Sequence, residues 1–173
     1  NKLGKNDLEQ YHKIRLECLR NHPQNFGTLY EEELESLHFK FDKIITENHS
    51  TDFLMGAFKD TTLVGICGFI QEKREKTKHI GEISALYVKT ALSGQKIGYG
   101  LMKETIHYAF TNQQLEQIIL SVANKNIAAQ NLYKKIGFVE YGRFNNYFRH
   151  NGQYETQVFM TLIRGSKDAI TNS

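Results

Sequence analysis

The spacing of apolar residues changes several times along the chain, and each change marks an element. Leu8, Tyr11, Ile14 and Cys18 recur at helical intervals, with Asp7 and Gln10 placed as a capping box. Thr28 and Glu31 repeat that device ahead of Leu34, Leu37, Phe41 and Ile44, which predicts a second helix. Residues 53–58 and 63–71 read as the strands of a hairpin around Lys59-Asp60-Thr61-Thr62, and the charged run 72–78 reads as a solvated loop. Near the end, strands over 139–148 and 154–163 join through Asn151-Gly152, and the tail from Gly165 onward is polar.

Between the two hairpins lie the segments around which the chain is organised. Over 79–102, the β-prone run Ile83, Ala85, Leu86, Tyr87, Val88 meets a turn containing Gly94, Gly98 and Gly100. Leu101, Met102, Ile106, Ala109 and Phe110 then recur at helical spacing. A helix that begins near Gly98 aims unpaired N–H groups and its positive dipole end at the preceding loop, so a phosphate-bearing ligand suits the turn. A dinucleotide fingerprint is excluded, because the sixth position from Gly98 is Lys103 and the third from Gly94 is Lys96. The phosphate-loop pattern ending in Gly-Lys-Ser/Thr also fails. The second segment, 118–138, repeats the order: Ile118, Ile119, Leu120 and Val122 form a buried-strand run, and Ala129, Leu132, Tyr133 and Ile136 line a short helix. Gly137 occupies the position of a left-handed cap, with Phe138 folding back on the last turn.

The residues from Leu86 onward resemble the acyl-CoA-binding motif of the GNAT acetyltransferases, in which a Leu-Tyr-Val strand is followed by a [RQ]-x-x-G-x-[GA] turn. Two registers satisfy the match. Gln95-Lys96-Ile97-Gly98-Tyr99-Gly100 fits the short pattern. An ungapped alignment from Leu86 through Met102 preserves the strand-to-helix distance and is preferred. It puts Ser93 where the family favours Arg or Gln and Lys96 where it favours Gly, so Lys96 is expected to adopt a backbone without positive φ. From Asn126 to Phe138, N-x-x-A-x-x-L-Y-x-K-x-G-F matches the second half of the same superfamily.

That resemblance implies an α/β (α+β) fold, with a mixed, mostly antiparallel sheet flanked by helices and splayed at its central strand. It implies acetyl-CoA as cosubstrate and a primary amine, on a small molecule or a peptide, as acceptor. Main-chain N–H groups of Leu86, Tyr87 and Val88 would receive the acetyl carbonyl and pantetheine. The loop Ser93, Gly94, Gln95, Lys96, Ile97, Gly98, Tyr99 would hold the pyrophosphate, and Asn126 would also touch the cofactor. Tyr133 matches the family tyrosine proposed as general acid toward the thiolate; on periodicity alone it is a core aromatic. Glu82 is the candidate base, with a solvent-facing strand residue as the alternative reading, and His79 and His107 stand behind it. Asn145, Asn146, Tyr147 and Arg149 fall where the family often builds an acceptor pocket, or else on an exposed sheet edge. A non-catalytic acyl-CoA-binding or sensor domain would keep the loop without needing Glu82 or Tyr133.

Composition narrows the remaining classes. The 173 residues, 40% hydrophobic, favour one domain over 1–165 with a polar tail over 166–173. A formal charge of +3 suits a polyanionic cofactor and disfavours a nucleic-acid partner, the weaker rival reading. Cys18 and Cys67 form no C-x-x-C pair, so neither a disulfide framework nor a metal site is expected. With no bilayer-length apolar run and no signal-like core, a cytoplasmic protein is expected, without a membrane partner but with room for a homodimer. In that setting the sequon Asn48-His49-Ser50 carries no glycan. The chain starts at Asn1 rather than Met, so a clipped first strand is expected.

Overall fold

The computed structural model describes residues 1–47 and 51–166. The sequon Asn48-His49-Ser50 and the tail after Ser166 lie outside the described residues. In chain order the elements are α1 (Leu8–Asn21), α2 (Tyr30–Glu35), α3 (Asp42–Thr46), β1 (Phe53–Lys59), β2 (Thr62–Gln71) and β3 (Ile80–Val88). They continue as α4 (Ile97–Ala109), β4 (Gln117–Ala123), α5 (Ile127–Ile136), β5 (Val139–His150) and β6 (Gln153–Ile163). The strands form one six-stranded sheet in the order β1-β2-β3-β4-β6-β5. Every neighbouring pair is antiparallel except β3 and β4.

Strand periodicity sorts the apolar side chains onto two faces. Phe53, Met55, Cys67, Phe69 and Ile83 pack beneath α4 and α5, whereas Leu54, Ile66 and Tyr87 pack beneath α1 and Phe41. The sheet is therefore covered on both sides, and β2, between β1 and β3, is buried along most of its length. Ahead of α1, Leu3 N–H donates to Leu54 O (2.8 Å) and Lys2 bridges Met55, so the first residues run beside β1.

The N-terminal helices depart from expectation in two ways. Asp7 caps nothing in α1; its carboxylate accepts from Gly4 N–H at 2.9 Å, while Gln10 accepts from Leu63 N–H and donates to Thr61 O. Gln10 thus pins α1 to the β1–β2 turn, while Asp7 closes the turn ahead of the helix. The second helix is broken into α2 and α3, and its capping acid is Glu32, which accepts from Leu29 N–H at 3.0 Å, one residue later than the Thr28–Glu31 pairing. The cause is a buried ion pair: Glu33 turns inward to Arg15, which leaves Leu34 and Leu37 exposed. The chain must then leave the helical path for Phe41 to reach the core, where Phe41 N–H donates to Tyr11 OH.

One local feature shapes the rest. β3 and β4 pair only at Ile80–Gln117, Gly81–Ile118 and Glu82–Ile119, although β3 continues to Val88 and β4 to Ala123. Beyond Glu82 the strands part, and the β2–β3 register slips where Ala85 takes φ +56°. The sheet is splayed at its centre, as the resemblance implied.

Candidate active site

A parallel strand that loses its neighbour leaves main-chain donors unpaired, and those donors define the site. Lys89 N–H donates to Val64 O on β2 at 2.9 Å. Alternation then turns the N–H groups of Val88 and Leu86 to the opposite edge, into the gap left by β4. Tyr87 faces the other way: it pairs with Ile66, and its hydroxyl donates to Glu17 at 2.9 Å. Of the three strand residues proposed from sequence, Leu86 and Val88 therefore offer donors and Tyr87 packs the wall. A cavity of about 480 Å³ opens along this gap, within the usual range for small-molecule sites.

One arm of the cavity meets the start of α4. Gly94 (φ +80°) and Lys96 (φ +60°, ψ +10°) make the reversal that delivers the chain into Ile97. The expectation that Lys96 avoids positive φ is wrong: the strand-to-helix length is preserved, so the residue in the family's glycine position takes the conformation that glycine favours. The first helical bond runs from Gly100 N–H to Lys96 O. That leaves the N–H groups of Ile97, Gly98 and Tyr99 without helical partners. Ser93 and Gly98 line the cavity directly. Gly94, Gln95, Lys96, Ile97 and Tyr99 form the turn outside its lining, and the Tyr99 ring packs on the core with the Lys103 and Lys135 ammonium groups 5.8 and 5.4 Å from its centroid.

α5 forms the facing wall. Asn126 caps it, accepting from Ala129 N–H at 3.1 Å, and also borders the cavity, so its contribution is first of all to fix the helix start. Tyr133 lies one face further on and lines the same cavity. Burial holds its phenol well above the ordinary tyrosine value, with the nearby Cys67 thiol adding to the shift, so it remains a proton donor at neutral pH. Gly137 (φ +110°) ends α5 in a Schellman turn, in which Phe138 N–H donates to Tyr133 O at 3.0 Å and Gly137 N–H to Lys134 O at 3.0 Å.

The other arm runs between β3, α1 and the segment after α2. Glu82, at the fork, is exposed and lines the cavity. Ser84 follows on the wall, and its hydroxyl oxygen is the one buried side-chain polar atom without a partner among the described residues. Arg15 closes the floor, donating through Nε and Nη2 to both oxygens of Glu33 at 3.1 and 2.9 Å. Burial by itself pushes the Glu33 carboxyl up, but the bond from Arg15, reinforced by Lys40 N–H, holds it below the usual carboxylate range. At the rim, β5 bulges between Phe144 and Phe148 with Asn146 at φ +58°, which carries Tyr147 and Phe148 to the cavity. The Phe148 ring lies over Gly27, where a Cβ would come within 2.8 Å of its Cζ, so a larger residue there would displace the ring.

Other proposed positions lie elsewhere. His79 and His107 do not line the cavity; the His79 carbonyl accepts from Glu116 and Gln117 N–H at the β3–β4 junction, and His107 is exposed. Asn145 accepts from Thr156, and Arg149 borders a second hollow beyond Phe148. Arg15, Lys40, His22 and Phe148 were not picked out by sequence reasoning, because each is distant in the chain from both motifs; Ser84 lies within the first, where nothing in the local pattern sets its hydroxyl apart. Cys18 and Cys67 are buried free thiols, and no group of three metal-ligating side chains exists among the described residues.

The model of the acetyltransferase (GNAT) family matches residues 8–138, which span every element of this cavity except β5. The chain belongs to this family. Spermidine N(1)-acetyltransferase of Vibrio cholerae is 28% identical over 167 residues, covering 94% of the chain and 90% of that relative. Acetyltransferase PseH of Campylobacter jejuni is 28% identical over 132 residues, 75% of the chain and 78% of its own length. Among solved structures, a GNAT-family acetyltransferase from Streptococcus pneumoniae superposes with a TM-score of 0.82 at 18% identity, covering 94% of this chain and 96% of its own. The acetyltransferase yncA from Salmonella typhimurium, solved with acetyl-CoA, superposes with a TM-score of 0.79 at 15% identity over 100% of this chain and 97% of its own. This GNAT acetyltransferase thus shares its fold with those structures. No helix among its described residues is long and apolar enough to cross a membrane.

Proposed function

We propose that the protein transfers the acetyl group of acetyl-CoA directly to a primary amine, without a covalent enzyme intermediate. The observation that carries this reading is the fork at Glu82. Past it, the Leu86 and Val88 N–H groups face an open gap, with Tyr133 on the far wall and the α4 N-terminus at one end. Acetyl-CoA fits as substrate, because unpaired strand donors suit its amide and acyl carbonyls and the α4 turn suits its pyrophosphate.

In the step proposed, the amine nitrogen attacks the thioester carbon and Leu86 N–H donates to the developing oxyanion. Before the attack Glu82 takes one proton from the ammonium, directly or through one water, and after the C–N bond has formed the nitrogen of the tetrahedral intermediate releases its second proton to solvent. The C–S bond then breaks, and Tyr133 gives its proton to the leaving thiolate. An alkylamine with pKa near 10 is mostly protonated at neutral pH, so a proton acceptor at the mouth is required. The 28% identical relative named for spermidine supports an amine acceptor as a class. The proposal includes a cytoplasmic setting, where acetyl-CoA is at hand and Cys18 and Cys67 stay reduced. An amine panel with free thiol as readout tests the reading: at least one amine must release CoA with stoichiometric N-acetyl product, and acetyl-CoA binding without any product would reduce the protein to a binder.

A further inference from the structure

We infer that the acceptor carries an anionic group, a carboxylate or a phosphate, beside its amine, and that Lys40 and the Nη1 group of Arg15 receive it. This rests on the proposed transfer reading for the direction in which the acceptor enters.

The charges along the cavity are unevenly partnered. Its lining contains one carboxylate, Glu82, and two cationic side chains, Arg15 and Lys40. Glu33, next to the floor, has both oxygens committed to Arg15, and one of them also accepts from Lys40 N–H at 3.0 Å. Arg15 uses only Nε and Nη2 in that pair, and its Nη1 makes no hydrogen bond among the described residues. Lys40 makes no ion pair within 4 Å among the described residues; its ammonium lies 5.8 Å from the Phe41 ring centroid. Although much of the Lys40 side chain is open, desolvation holds its ammonium below the ordinary lysine value, only partly offset by the attraction of Glu82 and Glu33. A cation in that setting gains from an anion that arrives with the ligand.

The anion is not the pyrophosphate of acetyl-CoA. Lys40 lies with Arg15 and Glu33 on the arm of the cavity that Glu82 borders, its N–H donating to the carboxylate that Arg15 holds. The α4 turn begins beyond Val88, six residues along β3, and a strand rises by about 3.3 Å per residue, so the two ends lie roughly 20 Å apart. Lys40 therefore serves the acceptor arm. There a small anion bound between Lys40 and Arg15 holds the neighbouring amine toward Glu82. A polyamine would bring several ammonium groups to a wall with one carboxylate and two cations, and is a poor match.

Matched pairs that differ only in the anion test this in the presence of excess CoA: phenylalanine against phenethylamine, lysine against cadaverine, and O-phosphoethanolamine against ethanolamine, with spermidine as polycation. Calorimetric binding should favour the anionic member of at least one pair by tenfold or more, and the pair affected separates carboxylate from phosphate. Lys40→Glu should reverse that ratio and Lys40→Gln should erase it, with the melting temperature close to wild type because the side chain is largely open. Tighter binding of the decarboxylated amines or spermidine, a ratio indifferent to Lys40→Glu, or no binding by any member at millimolar concentration would overturn the inference. Lys40-dependent binding to the CoA-loaded protein, with no thiol release from acetyl-CoA in a separate CoA-free assay of the same amine, would defeat the transfer reading while leaving an anion site at Lys40 and Arg15.

Discussion

Glu82 on β3 lies opposite Ile119 on β4, and this is the last pair the two strands share. The candidate base thus stands where the sheet divides: strand pairing fixes its backbone, while its side chain faces the mouth of the gap. The end of the ladder and the placement of the candidate proton acceptor are set by the same residue pair.

Binding of acetyl-CoA should stabilise the fold. At about 100 times its dissociation constant a ligand adds roughly 2.7 kcal/mol, so a clear rise in melting temperature is expected, with none from NADH. Gly98→Val should remove the rise and leave the unliganded melt nearly unchanged. A Cβ at Gly98 sits 3.7 Å from Val88 and 3.8 Å from Leu132, an ordinary contact, while the branched side chain covers the N–H groups that face the cavity. An undiminished shift in this variant would place the pyrophosphate elsewhere.

Tyr133→Phe keeps the ring that packs against Phe138 at 6.0 Å and removes only the proton donor. Turnover should fall by about 10² to 10⁴ with little change in acetyl-CoA affinity, measured in single-turnover experiments where chemistry limits the rate. Equal rates would make Tyr133 a wall residue only.

For Glu82→Gln the expected signature is a pH profile. The amide cannot accept the amine proton, so the deficit should be largest at neutral pH and shrink toward the pKa of the acceptor amine, near 10 for an alkylamine. Parallel profiles for mutant and wild type would assign deprotonation to another group, and the structure leaves His22 as the histidine on the cavity wall.

The Arg15–Glu33 pair is 3% and 5% exposed at its side chains, so Arg15→Met should destabilise by about 3–5 kcal/mol through the carboxylate it strands. The pH sign follows from Glu33, whose folded pKa is depressed by Arg15. Its contribution is fully present above the unfolded value of about 4.3 and is lost as pH falls through the folded value. Chemical denaturation of wild type and variant should therefore differ strongly at pH 7 and converge in acid. A constant difference across that range would deny the carboxylate its role.

Local pattern by itself determined a good deal about this protein. The strand, turn and helix of 79–102 and the strand, helix and cap of 118–138 are legible because each depends on neighbours in sequence: glycine at a left-handed position, apolar residues at period two or 3.6, a capping asparagine. Tyr133 and Asn126 line the cavity, and what singled them out was the resemblance of 126–138 to a family motif, since periodicity alone makes Tyr133 a core aromatic. The break between α2 and α3 was not legible, since it turns on Glu33 finding Arg15 across 18 residues of sequence. The Asp7–Gln10 box failed because Gln10 meets the β1–β2 turn, 53 residues away, where buried main-chain groups need a partner. The arm of the cavity proposed for the acceptor was decided by tertiary structure. Arg15, Lys40, Glu82 and Phe148 come from four separate stretches of chain and share no spacing, and only the splaying of β3 from β4 makes the space that brings them to one cavity. Periodicity records what a residue does within its own element; which charges face one another across a gap depends on how the elements pack.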